Sequence, residues 1–167
     1  LCNPWPGRGQ SQVLFILDAR SSFEQGVLRD WIQHHAQVED KPLQAAQVCL
    51  DLGDDRRGID STSLVTALAL PADTLVAPLR IAWLPSQEAI NSGPRLPDLL
   101  FGDPRHPGAW RGRRILEKSP ERMHLLIGEP DTVANLRARF GRGHSTDDGD
   151  GQRDFADFVA RQAVVVL

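Results

Sequence analysis

His35 and Asp40 stand in the spacing His-x4-Asp, in which an imidazole acts as general base on a hydroxyl while the carboxylate fixes the ring's orientation. Such a pair works only when held rigidly in a partly dry pocket. Here the neighbouring residues are polar and come off the back of an amphipathic pattern, so the match is read as chance. The histidines do not assemble a metal site either. His34 and His35 are adjacent and diverge on a helix, while His106, His124 and His144 fall on separate elements with no cysteine or carboxylate at ligand spacing. Gly141-x-Gly143 follows no strand and lacks a third glycine, so it is no dinucleotide fingerprint. No Walker loop and no Gly-x-Ser-x-Gly elbow occur. No cofactor and no metal are expected.

The remaining chemistry is anionic recognition. Between positions 101 and 122 six Lys/Arg (Arg105, Arg111, Arg113, Arg114, Lys118, Arg122) oppose three acids (Asp103, Glu117, Glu121), a local excess of cations in a chain of formal charge −3. Pro107 suits the first turn of a helix and Ser119-Pro120 its end. Within that helix Arg111, Arg114 and Lys118 recur at i, i+3 and i+7 and share a face, and Arg113 can pair with Glu117. An apolar strand, His124-Leu125-Leu126-Ile127, then runs through the turn Gly128-Glu129-Pro130 into a helix begun at Asp131 or Thr132. A strand entering a helix start beside a cationic helix can offer free backbone N–H donors to an anion. The candidate anion or membrane contacts are therefore Arg111, Arg114, Lys118, Gly128 and Thr132.

These residues need elements to hold them. Val13-Leu14-Phe15-Ile16-Leu17 is a continuous apolar run ending at Asp18, the pattern of a central strand covered on both faces. Ser21-Ser22-Phe23-Glu24 reads as a capping box for a helix whose stripe is Phe23, Val27, Leu28, Trp31 and Ile32. A second strand is expected at positions 47–52, and a short helix from Asp60 or Ser61 to Leu70, stopped by Pro71. Positions 75–85 have β character, but Pro78 cannot donate to a ladder, so a bulge or an edge is expected there. Leu79, Ile81 and Trp83 should share a face. Positions 85–107 read as a long loop with a helical turn near 97–100.

Val133, Leu136 and Phe140 mark the stripe of the next helix. The polar stretch 141–152 reads as a linker, and Phe155, Phe158, Val159, Gln162, Ala163 and Val166 as one side of a last helix. The fold class is thus α/β, a mostly parallel sheet with flanking helices and a C-terminal helix after a flexible linker. An irregular arm, 1–11, precedes the domain at 12–140.

With 167 residues, 41% of them apolar and 25% charged, the chain has the size and composition of one globular domain. Cys2 and Cys49 make no disulfide framework and fit a reducing compartment. No apolar run approaches the ~20 residues of a membrane span, and no signal peptide is apparent at residues 1–10. The slightly negative charge, with no aromatics interleaved among basic residues, argues against a nucleic-acid partner.

Three groups of residues resemble the N-terminal region of bacterial glycerol-3-phosphate 1-O-acyltransferases, the actinobacterial type most closely. They are Gly102-Asp103-Pro104-Arg105-His106-Pro107 with Arg113-Arg114-Ile115-Leu116; Ile127-Gly128-Glu129-Pro130 with Val133 and Leu136-Arg137; and the run from Arg153 to Ala163. The stretch 13–32 and the segment Pro78-Leu79-Arg80-Ile81-Ala82-Trp83-Leu84-Pro85 lie in the matching order, so the resemblance covers nearly the whole chain. It implies transfer of a fatty acyl group from acyl-CoA or acyl carrier protein to the 1-hydroxyl of glycerol 3-phosphate, in phospholipid synthesis, with the protein peripheral at the cytoplasmic face of an anionic membrane. The family's catalytic blocks are not among these residues, so no catalytic residue is assigned. The chain is expected to be a piece of a longer polypeptide, inactive alone, with positions 153–167 beginning a helix that packs on its own catalytic domain. A different class of reading is a stand-alone module that binds a phosphorylated ligand at the helix start spanning 128–132.

Overall fold

A computed structural model describes residues 3–7, 10–38, 45–50, 60–85, 107–141 and 149–167. In chain order the elements are β1 (Val13–Asp18), α1 (Ser22–Val38), β2 (Ala45–Leu50), α2 (Thr62–Ala67), β3 (Leu75–Trp83), α3 (Ala109–Lys118), a 3-10 turn (Pro120–Arg122), β4 (Met123–Ile127), β5 (Asp131–Thr132), α4 (Val133–Gly141) and α5 (Gly149–Val165). The sheet runs β2-β1-β3-β4, with β5 also on β3. β2, β1 and β3 are parallel, and β4 and β5 pair antiparallel with β3. This is the expected α/β class with a mostly parallel sheet.

Every residue of β1 is buried, as its unbroken apolar run requires of a strand covered on both faces. Its side chains alternate between two cores. Leu14 and Ile16 join Val76, Leu64, Val133, Leu136, Phe140, Val159 and Ala163 on the face covered by α2, α4 and α5. Phe15 and Leu17 join Leu28, Ile32, Leu79, Ile81, Trp83 and Ile115 on the face covered by α1 and α3. Each buried Val, Leu, Ile or Phe side chain contributes about 1.5–3 kcal/mol relative to exposure. Leu79, Ile81 and Trp83 do share one face. α1 and α2, the helices of the two successive crossovers, lie on opposite faces, so the strand order reverses between the carboxyl ends of β1 and β3.

Pro78 sits in a central strand, paired with Ile16 of β1. The bulge it requires is in the opposite strand. Leu79 pairs with Ile127 and Val76 with Asp131, so Ala77 and Pro78 face three residues, Gly128, Glu129 and Pro130. The Pro78 carbonyl accepts the Gly128 N–H at 3.0 Å, so the side of Pro78 that lacks a donor faces this bulge. Gly128 is required there because a Cβ would stand 2.7 Å from Pro78 Cγ and 2.9 Å from Val166 Cγ2.

Several expectations are corrected. α5 begins at Gly149, so the end of the expected linker is helical, and α4 runs through Gly141. α5 packs on this sheet: Ala156, Val159, Ala160 and Ala163 are buried in its core, while the end of the helix is bare, with Val165 77% exposed. The arm near the N-terminus is irregular but not detached, since Trp5 is buried edge-on against Phe15 at 5.3 Å and stacked on Trp31 at 6.4 Å. β2 lies at Ala45–Leu50, two residues earlier than expected. α3 starts at Ala109, with Pro107 buried ahead of its N-cap Gly108. Residues 51–59, positions 86–106, where a loop with a helical turn is expected, and 142–148 of the expected linker lie outside the described residues.

Candidate functional site

The only two buried acids among the described residues, Asp18 and Glu24, 3% and 5% exposed, lie at the carboxyl end of β1 and in the first turn of α1. Asp18 is the register partner of Arg80 across β1 and β3, and accepts Arg80 Nε at 2.5 Å and Nη2 as well. Asp18 ends β1 and Arg80 stands beside it, three residues before the end of β3, near the point of strand-order reversal where open α/β sheets usually hold ligands. Here the two charges satisfy each other.

Glu24 lies one turn into α1. The Ser21 Oγ accepts the Glu24 N–H at 3.2 Å, half of the expected capping box. The reciprocal bond departs from the pattern: Glu24 Oε2 accepts the N–H of Arg20 rather than of Ser21, at 2.8 Å, and Oε1 accepts the Trp83 indole N–H at 2.8 Å. The carboxylate thus caps the helix and ties it to the end of β3. Phe23 stacks on Trp83 at 6.4 Å, and the Arg113 guanidinium stands over Phe23 at 5.7 Å, not against Glu117. α3 approaches this stack through Gly112, where a Cβ would lie 2.5 Å from Phe23 Cε1. No sequence signal marked Trp83 as a partner of Glu24.

The cationic ladder is assembled as its spacing predicts and then extended. Arg111, Arg114 and Lys118 line one cleft of about 240 Å3 together with Ile115, Ser119 and Arg122. Arg122 joins because the chain turns over at Ser119 into the 3-10 helix, and its Nε donates to the Leu84 carbonyl at 2.9 Å. Arg114 stands over the ring of Trp110, 66% exposed, at 5.6 Å. The described lining holds four cations and no carboxylate.

Gly128 and Thr132 are not part of that cleft. The first N–H groups of α4 are already bonded: Val133 to the Thr74 carbonyl at 3.0 Å, Ala134 to the Ala72 carbonyl at 2.9 Å, and Asn135 to Thr132 Oγ1 at 3.2 Å. Thr132 N–H is taken by Asp131 Oδ1 at 2.8 Å. A carboxylate occupies the helix start, and the donors an anion would need are spent on fixing α4 to β3 and its preceding turn. The Gly128 N–H, bonded to Pro78, is spent likewise.

Among the described residues no three His, Cys, Asp or Glu side chains cluster so as to hold a metal ion. His35 Nδ1 lies 2.9 Å from the Trp31 carbonyl and its ring stacks on Trp31 at 4.2 Å; Asp40, its partner in the His-x4-Asp spacing, lies outside the described residues. Two further cavities open on the α2/α4/α5 face. One of about 240 Å3 adjoins the bulge beside Pro78, Pro130, Arg139 and Gln162; the other, about 580 Å3, is an apolar groove lined by Leu68, Phe140 and Phe155 with Arg137. No helix among the described residues is long and apolar enough to cross a membrane. No protein-family model matches the chain, and no solved structure matches it.

Proposed function

We propose that this chain is the non-catalytic N-terminal α/β domain of a glycerol-3-phosphate 1-O-acyltransferase, peripheral to the cytoplasmic face of the membrane. The observation that carries this reading is the one made on the residues: the stretch 13–32, the segment Pro78 to Pro85, the turn at Gly128 and the last helix resemble that family in order and along nearly the whole chain. The fold gives those strings a physical reason to occur together. Asp18 and Glu24 of the first stretch meet Arg80 and Trp83 of the second. Gly128 of the third meets Pro78 of the second and Val166 beyond the last helix.

In this reading the chain supplies a rigid domain, and the acyl transfer from acyl-CoA or acyl carrier protein to glycerol 3-phosphate belongs to a further part of the natural polypeptide. The test is complementation: the natural gene carrying this chain is introduced into a bacterium whose own glycerol-3-phosphate acyltransferase is shut off. Restored growth and restored phospholipid synthesis are expected, with no rescue by residues 1–167 alone. Failure of a stably expressed natural polypeptide to restore either would contradict the proposal.

A further inference from the structure

We infer that the cleft formed by α3 and the 3-10 turn is a binding site for a phosphate group, either free in a small phosphomonoester or carried by a lipid headgroup. The inference stands apart from the acyltransferase reading, since it uses only this surface. Arg111, Arg114, Lys118 and Arg122 converge on one concavity that also presents Ser119, and its described lining contains no carboxylate. Like charges brought together repel, so this arrangement costs stability that an anion in the cleft would recover. Lys118 has no partner among the described residues, and Arg122 spends its Nε on the Leu84 carbonyl while its terminal nitrogens remain to be used. Arg111, engaged already, adds its charge to the field rather than a required contact.

Size narrows the ligand. A cleft of about 240 Å3 is smaller than the roughly 300–1,000 Å3 that encloses a whole drug-sized ligand, so it fits a phosphate and its immediate ester substituent. The donor set has the same meaning. Guanidinium groups offer paired N–H donors to two phosphate oxygens, and the ammonium of Lys118 acts as a point charge on the third. Trp110, exposed and stacked by Arg114, stands on the same helix directly before Arg111, at the edge of the cleft, where an indole contacts either an ester substituent or the headgroup layer of a bilayer.

The test uses the chain itself with two probes: sodium phosphate, followed by backbone amide chemical shifts, and vesicles of phosphatidylcholine with or without phosphatidic acid, followed by co-sedimentation. The comparison is with Arg114→Gln/Lys118→Gln, two exposed positions whose change leaves the core untouched, and with Arg153→Gln/Arg161→Gln on α5 as a charge-matched control. Saturable shifts confined to residues 110–122, weakened at least tenfold in the first variant and unchanged in the control, place a free phosphate in the cleft. Sedimentation that needs phosphatidic acid and is lost only in the first variant assigns the phosphate to a lipid. The inference is overturned if neither probe binds, or if both double variants bind as wild type does.

Discussion

The indole N–H of Trp83 donates to the Glu24 carboxylate at 2.8 Å, joining the end of β3 to the first turn of α1 across 59 positions of sequence. Because Glu24 is buried and its other oxygen caps the helix, the pair couples the two elements that meet at the reversal of strand order. Trp83→Phe preserves the ring against Phe23 but leaves one carboxylate oxygen without its donor. A loss of about 1–3 kcal/mol is predicted, read from the midpoint of urea unfolding at unchanged slope. A variant as stable as wild type would remove the coupling assigned to this bond.

Asp18 and Arg80 make a sharper case, because the acid is 3% exposed while the guanidinium reaches the surface. Arg80→Met strands a buried carboxylate and should cost about 3 kcal/mol, the low end for such pairs since water reaches the arginine side. Asp18→Leu/Arg80→Met removes both charges and is predicted to be more stable than Arg80→Met alone. Thermal unfolding of the three proteins decides it; a double variant less stable than the single one would show that the unpaired carboxylate is not the source of the loss.

Much of this architecture is legible in the residues, and the parts that are not share a cause. The unbroken run from Val13 to Leu17 announces a strand covered on both faces, and the 3-4-7 spacing of Arg111, Arg114 and Lys118 announces a single cationic face; both are local patterns. Pro78 announces a bulge but not which strand carries it, because the missing donor constrains the pair rather than the strand. The stripe of α5 is equally plain, yet a stripe says that a face is buried and not what buries it, so its packing on its own sheet required the fold. Trp83 and Glu24 escaped because Glu24 already had a local role in its capping box. The donors at the start of α4 read as free because the acceptors of Val133 and Ala134, the carbonyls of Thr74 and Ala72, lie more than fifty positions away.

Gly128→Ala forces a methyl group to within 2.7 Å of Pro78 Cγ and 2.9 Å of Val166 Cγ2, and should destabilise by about 1–3 kcal/mol. Adding Pro78→Ala takes away the nearer obstacle and restores an amide on the bulge side, so the double variant should recover part of the loss. Additive losses in chemical denaturation would contradict this packing account.

Asp60 ahead of α2 is held below the ordinary aspartate range, chiefly by the side-chain hydrogen bond from Thr62 and then by its backbone N–H. A lowered folded-state value means that these bonds favour folding above the unfolded carboxyl's titration and lose their effect as pH falls through the folded one. Thr62→Val deletes the hydroxyl donor and keeps the N–H. Carbon-detected titration of the Asp60 carboxyl should show its midpoint rise toward the ordinary value, and no movement would rule out the hydroxyl as the main cause.

Formation of lysophosphatidic acid from labelled glycerol 3-phosphate and palmitoyl-CoA or palmitoyl-acyl carrier protein, by the purified natural polypeptide that carries this chain, tests the functional proposal most directly. The account predicts labelled 1-acyl product from that polypeptide and none from residues 1–167. Absence of product with both donors from a folded natural polypeptide, or acyl transfer by residues 1–167 alone, would contradict it.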